Sequence, residues 1–517
     1  MLAASGMKEA DLNNIPAIYL LALSPLAAEN LAPLQDTGPK GFNTIAVMKA
    51  LMGEDKCFVI DKPTSIEDVL YGVRNKLLES KPVVILYDPD ALKGKVSWFQ
   101  VPWVQKEKRV NEGDLERFYS KFSKQTNGKR VVILVSQEAS RYEGIQDQIT
   151  ELSRLLKAPT IHTPTGVSAV SHKNEYAAGY VYLGYNRFPK RLLDGLTPED
   201  TVICIGFEPG EYSLNQDKIK GSAWVITNLV NAYGTENGTF RHRVVGEYNE
   251  IRGDIELVLK NIISHLQGQK LDRPQIVIPE DLNEGASYPS PPSKYVNMVE
   301  FYRRLVQHLK PGTVLVMDVC MGYKDYQHVT QRPVPGVQVK YVHQGSLMGN
   351  SLGTMAGMKV ARPDLNVVGV TGDGCFAYIG ASLGEVSDYG FTMFVLDNGT
   401  HGVVYKGLQQ IKRDLPWEKL LELTKIPQSN YVKMAKAQGW RGYNLRHGMP
   451  FFQHFMEWAQ GQKSDSLAGR IYSGWKNIFN GRHPRSLLVR IPMYQEDDIG
   501  PNARLDNLGK QGTITNL

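Results

Sequence analysis

An α/β protein with three doubly wound parallel-sheet domains is predicted by three stretches of the sequence. Residues 367–404 begin with a β-branched apolar run that breaks at Gly372-Asp373-Gly374. A helix-period segment follows, with Phe376, Ile379, Leu383 and Val386 on one stripe, and then a second apolar run ends at Asp397-Asn398. Residues 130–227 carry apolar runs around an amphipathic segment over 145–156, in which Ile149, Leu152 and Leu156 share a face. Residues 15–25 and 82–87 form a third set of apolar runs near the amino terminus. Runs that are apolar on both faces belong in sheets covered on each side.

Composition excludes several classes. A chain of 517 residues supports two to four domains with large cores. It is 42% hydrophobic and 22% charged, and its net charge of +6 is spread through mixed clusters such as Lys106-Glu107-Lys108-Arg109. There is no basic block of the kind nucleic-acid binders show. Cys57, Cys204, Cys320 and Cys375 are too few and too scattered for a disulfide scaffold or zinc site, which points to a reducing cytoplasm. No apolar stretch is long enough to span a membrane. The nearest N-terminal candidate, 15–28, is interrupted by Ser24-Pro25 and preceded by acidic residues where a signal peptide would carry basic ones.

In chain order, residues 1–13 read as the tail of a helix with Leu2, Met7 and Leu12 apolar, and 15–25 as a buried strand. After an irregular, charged stretch, 115–275 form a small parallel-sheet domain with strands at 130–136, APTIHTP, TVICIGF and SAWVITN. No G-x-G-x-x-G follows a strand there, so the domain is expected to be a spacer, and His162, His172 and His242 are isolated. Proline, serine and acidic residues mark 276–294 as a linker. The last domain, 295–495, opens with a helix (Met298, Phe301, Leu305, Leu309) and a strand over 313–320. Gly345, Gly349, Gly353 and Gly357 then recur every four residues, which suggests close packing against a cofactor or backbone, since each costs roughly 1 kcal/mol in a helix interior. A helix over 430–440 and a strand over 486–492 follow, and 496–517 are expected to be a polar, extended tail.

The chemistry sits at the two breaks in 367–404, at carboxyl ends of strands, where open α/β sheets bind ligands. Asp373 offers a carboxylate and Asn398 an amide oxygen, hard donors of the kind Mg²⁺ takes alongside water and phosphate. Gly372 and Gly374 let the backbone approach an anion closely. The residues themselves support a Mg²⁺-held diphosphate and nothing more specific.

This Gly-Asp-Gly, followed one strand later by Asp397-Asn398, resembles the cofactor motif of thiamine-diphosphate (ThDP) enzymes, which closes in Asn-Asn. The resemblance implies ThDP and Mg²⁺ as cofactors, with Asp373, Asn398 and the carbonyl of Thr400 as metal ligands. It further implies that Gly372, Gly374, Cys375, Gly402 and Val403 meet the diphosphate, that the Ser346 carbonyl accepts from the pyrimidine amino group, and that Met348 props the two rings. The alternative for Met348 is an ordinary core residue. Asp397 departs from the motif and is expected to be a functionally neutral replacement facing away from Asn398, and Ser382 stands where relatives carry Glu. His401 is a candidate for proton transfer or a spectator.

Within that family the chain is similar to the acetolactate synthase and pyruvate decarboxylase branch. ADLNNIPAIYLLALSP, LQDTGPKGFNTIAVMKA and SKPVVILYDPDA resemble, in order, the second half of a pyrimidine-binding (PYR) domain, here 1–105. The domains implied are then this partial PYR domain, the central Rossmann-like domain and a C-terminal diphosphate-binding domain. The family's catalytic glutamate lies in the first half, and none of Glu9, Glu29, Glu54, Glu67 or Glu79 matches its motif. Three readings stay open: a truncated frame, a second polypeptide that supplies the missing half, and a non-catalytic relative. The activity implied is decarboxylation of a 2-oxo acid with carboligation, in a homodimer or homotetramer; the alternatives are a simple decarboxylase and a regulatory subunit.

Overall fold

The computed structural model describes residues 4–28, 31–101, 107–215, 217–230, 232, 234–235, 238–341, 345–449, 452–453, 456 and 485–510. They form three parallel sheets flanked by helices, as expected. The chain divides into two compact units.

The first unit takes in 1–109, 228–237 and 343–347. Its sheet has β1 (Ile18–Ala22), β2 (Cys57–Ile60) and β3 (Val83–Tyr87) in the order β1-β3-β2. Central β3 is apolar on both faces because helices cover both: Met7, Met48 and Met52 pack with Val84 and Leu86, and Val69 and Val73 with Val83 and Ile85. The expectation of a buried first strand is corrected. β1 is an edge strand whose residues alternate between exposed and half-buried, with Leu20 66% exposed. Its apolar run reflects β-propensity, not enclosure, since only one neighbouring strand flanks it. Leu20→Lys is therefore expected to change the unfolding free energy of the chain by less than about 0.5 kcal/mol in a urea melt.

The second unit takes in 110–227, 238–342 and 348–517 and holds two six-stranded sheets. One comprises β4 (Val131–Val135), β5 (Thr160–His162), β6 (Ala177–Tyr180), β7 (Thr201–Ile205), β8 (Ser222–Thr227) and β9 (Tyr248–Arg252), ordered β6-β5-β4-β7-β8-β9. The helix Ile145–Leu156 buries Ile149, Leu152 and Leu156 against it, as the periodicity predicts. Ligands enter such sheets where the strand order reverses, here between β4 and β7. That point is closed: a methyl group on Gly206 would lie 2.3 Å from the Ala139 amide nitrogen, so the loops after β4 and β7 are in backbone contact.

The other sheet comprises β10 (Thr313–Met317), β11 (Val337–Tyr341), β12 (Asn366–Gly372), β13 (Thr392–Asp397), β14 (Arg441–Asn444) and β15 (Leu487–Pro492). Its order is β11-β10-β12-β13-β15-β14, all parallel, with one core on each face. The two sheets are joined where Ser168 Oγ accepts from the Val339 amide and donates to the Val339 carbonyl, both at 3.0 Å.

Three local expectations change. The segment after Gly374 is a short helix, Asp373–Ile379, that tightens into 3-10 turns over Gly380–Val386; all four stripe residues are buried, and the 376/379 and 383/386 pairs suit a three-residue turn. The proline-rich linker has neither helix nor strand, yet it is anchored: Leu282 N donates to Gln331 Oε1 at 2.7 Å and Asn283 Nδ2 to the His328 carbonyl at 2.7 Å. The tail is not extended throughout, because Ala503–Lys510 is a helix. Among the described residues no helix is long and apolar enough to cross a membrane, and all four cysteines are free.

Candidate functional site

β12 and β13 are neighbours in parallel register, with Gly372 opposite Leu396, so the turn at 372–374 and the loop at 398–400 sit side by side at their carboxyl ends. Asp373 is 3% exposed. Its Oδ1 accepts from the Gly374 amide at 2.9 Å and its Oδ2 from the Gly399 amide at 2.7 Å, which ties the two loops together. Asn398 Oδ1 accepts from the Thr400 amide at 3.1 Å. Thr400 is latched by its hydroxyl to the Thr424 carbonyl (3.0 Å) and Thr424 Oγ1 (2.8 Å), and the His401 amide donates to the same Thr424 carbonyl at 2.9 Å.

Burial pushes the Asp373 carboxyl up to about 7; the Gly399 amide opposes this and the nearby Asp397 carboxylate adds to it. The residue expected to be neutral thus acts on the site. Asp397 is 7% exposed, and Arg490 Nε donates to its Oδ2, so a cation from β15 balances a second carboxylate. A carboxyl pKa raised in the fold contributes stability that is complete below about pH 4 and lost as pH rises through 7. The cofactor-free chain is therefore expected to lose stability between about pH 4 and 7, and Asp373→Asn to flatten that slope in thermal melts across the range.

The glycines lie where space is short. A methyl group on Gly372 would lie 3.0 Å from Cys320 Cβ, and one on Gly374 would lie 3.0 Å from His401 Nδ1. His401, at the start of the helix Gly402–Ile411, is thereby placed over the Gly-Asp-Gly turn. At Gly402 a methyl group would meet Asn398 Nδ2 and Met321 Cγ, each at 3.1 Å, so the starts of the helices Met321–Thr330 and Gly402–Ile411 abut beside Asn398. The first amides of both helices, Val403 among them, have no partner within their own helix.

Cys375 is buried and its thiol donates to the Val319 carbonyl at 2.8 Å; burial pushes that thiol up, which makes it inert. Met348 is 39% exposed and so is not an ordinary core residue. Ser346 falls in the first compact unit and has φ of 46°. Of the recurrent glycines, Gly349 (φ 85°) is tightly packed, 3.1 Å from the Cys375 carbonyl by the same measure. Gly353 and Gly357 lie on the exposed face of the helix Asn350–Ala361 with nothing within 4 Å, so close packing within the chain is not their role.

Sequence reasoning missed Asp318, which is 1% exposed at the end of β10. Its Oδ1 accepts from the amides of Val319 (2.8 Å) and Gly349 (3.1 Å), and its Oδ2 from the hydroxyls of Ser351 (2.7 Å) and Thr371 (2.9 Å). One carboxylate thus joins the segment after Met348 to the strand that carries Asp373. The signal was present: an aspartate directly after an apolar strand, as at Asp373.

The arrangement offers a carboxylate and an amide oxygen around a glycine turn. Among the described residues no cluster of three His, Cys, Asp or Glu side chains forms a metal site, so a cation here would be held by mixed oxygens, as suits Mg²⁺. A buried carboxylate that pairs with no cation among the described residues, beside a second carboxylate, fits such an ion.

Residues 326–463 match the family model described as thiamine pyrophosphate enzyme, C-terminal TPP binding domain. The chain is 24% identical over 304 residues to a probable acetolactate synthase large subunit of Methanococcus aeolicus, covering 54% of this chain and 48% of that protein. It is 29% identical over 162 residues to a probable acetolactate synthase large subunit of Methanocaldococcus jannaschii, covering 29% of this chain and 25% of that protein. The matches span about half the length, or less, of these curated relatives. The segment that carries both loops of the candidate site is thus similar to the C-terminal TPP binding domain of thiamine pyrophosphate enzymes.

Proposed function

We propose that this chain is a ThDP- and Mg²⁺-dependent enzyme subunit that decarboxylates a 2-oxo acid and joins the resulting activated aldehyde to a second carbonyl. The observation that carries the reading is the pair of loops at the ends of β12 and β13, tied by Asp373 within the matched family segment. Asp373, Asn398 and the Thr400 carbonyl would hold Mg²⁺, and through it the diphosphate. Gly372, Gly374 and Cys375 would line that end, with the amides of Gly402 and Val403 donating to phosphate oxygens. Met348, being exposed, and the Ser346 carbonyl would serve the rings. When bound, the cofactor supplies the stabilisation of carbanion character that decarboxylation requires. The chain's own part is to position: Asp318 and the Thr400–Thr424 latch hold the two loops, and His401 stands beside the turn as a proton carrier.

The domain reading goes with this proposal: 1–105 as part of a PYR domain, 115–275 as a spacer, 276–294 as a linker and 295–495 as the diphosphate-binding domain. A homodimer or homotetramer is part of it, with a separate chain supplying the first half of the PYR domain as the alternative, in a reducing cytoplasm that keeps the four thiols free.

The test is calorimetric titration of ThDP into the chain with and without Mg²⁺, followed by incubation with pyruvate. Mg²⁺-dependent binding with release of CO₂ and a new carbon–carbon bond supports the reading. Free aldehyde instead would assign a simple decarboxylase, and binding without CO₂ a non-catalytic subunit. No binding in either condition would overturn the cofactor assignment.

A further inference from the structure

We infer that residues 493–501, the strap that follows β15, clamp the two helices whose starts meet at the candidate site, with Glu496 and Asp498 as positioning residues for diphosphate binding; this rests on the proposed function.

The strap grips both helices. On Gly402–Ile411, Tyr405 donates its hydroxyl to Glu496 Oε1 at 2.6 Å, and Lys406 Nζ donates to Glu496 Oε2 at 3.3 Å. On Met321–Thr330, Lys324 is 1% exposed and its Nζ donates to Asp325 Oδ1 (2.7 Å), Asp498 Oδ1 (2.7 Å) and the Gly500 carbonyl (2.6 Å). Asp325 Oδ1 accepts in turn from the amides of Ile499 (3.2 Å) and Gly500 (2.8 Å). A methyl group on Gly500 would lie 2.4 Å from the Lys324 carbonyl, so the strap's backbone is seated directly on that helix. At the strap's start, the Met493 amide donates to the Asp397 carbonyl at 2.9 Å, one residue before Asn398.

These grips fall one turn inside the abutting helix starts at Met321 and Gly402. A strap that holds both helices at that depth fixes the separation of their first amides, and a loss of position by about 1 Å is costly in a preorganised site. The Lys324–Asp325 pair at the centre of the grip is buried, and a buried pair adds little net stability over apolar residues of the same volume, so its use here points to placement.

The test uses Glu496→Gln, Asp498→Asn and Asp498→Glu in the full chain. Each is titrated with ThDP and Mg²⁺ well below its melting temperature, and amide hydrogen exchange is recorded without cofactor. The expected result is a five- to tenfold weaker ThDP affinity for Glu496→Gln and Asp498→Asn, with Asp498→Glu within twofold of the parent. Faster exchange is expected at the first turns of both helices. Affinities within twofold for all variants, with only a lowered melting temperature, would overturn the inference. Failure of the parent chain to bind ThDP would instead sink the proposed function; in that case unchanged exchange at the two helix starts would remove the clamp as well, whereas faster exchange would uphold it as a device of the fold.

Discussion

Asp373→Ala is expected to abolish Mg²⁺-dependent ThDP binding while leaving the chain folded. Loss of groups that merely support a metal ligand typically costs about 10–100-fold in affinity. Removal of a carboxylate that would itself bind the ion should exceed about 100-fold. The stability balance runs differently. Alanine leaves the amides of Gly374 and Gly399 without their present acceptor, at about 1–3 kcal/mol each. It also removes a buried carboxyl raised from 3.8 to about 7, which at pH 8 is worth on the order of 4 kcal/mol in the opposite direction. The two nearly cancel. Calorimetry and a urea melt on the same sample separate them: a folded variant that binds ThDP like the parent would show that the cation is held elsewhere.

Lys324→Met is expected to destabilise the chain by about 3–5 kcal/mol, because it leaves the buried Asp325 carboxylate without its cation. Burial alone would push this ammonium down, but Asp325 and Asp498 outweigh it and hold the group above its ordinary value, so it is charged at neutral pH. Asp325 is wholly buried, and among the described residues its Oδ2 accepts no hydrogen bond. Asp325 would retain only the amides of Ile499 and Gly500. The double variant Lys324→Met/Asp325→Leu should recover part of the loss, since apolar residues of similar volume replace a buried pair at little cost. A urea midpoint for Lys324→Met equal to the parent's would show that the cluster is hydrated.

The class of the fold was legible in the sequence, and so was the importance of the turn at 372–374 and the loop at 398–400, which the structure sets side by side. Strands such as 131–135 and 392–397, apolar on both faces, have no stable place except inside a parallel sheet, and Gly-Asp-Gly can be recognised from adjacent residues alone. What the sequence could not show is which loops meet. Asp318 and Arg490 meet the site from β10 and β15, each polar for a partner brought close by the strand order β10-β12-β13-β15, and Thr424 meets it from the end of the helix Trp417–Thr424. The same holds for Asp397: its residue type suggested a neutral exchange, but β15 set an arginine against it and the fold set it beside Asp373. β1 failed the other way, because an apolar run records propensity while enclosure depends on how many strands flank it. Period and composition are local and survive in one dimension; charge balance, burial and the closure of a site belong to contacts between distant segments, and tertiary structure alone decides them.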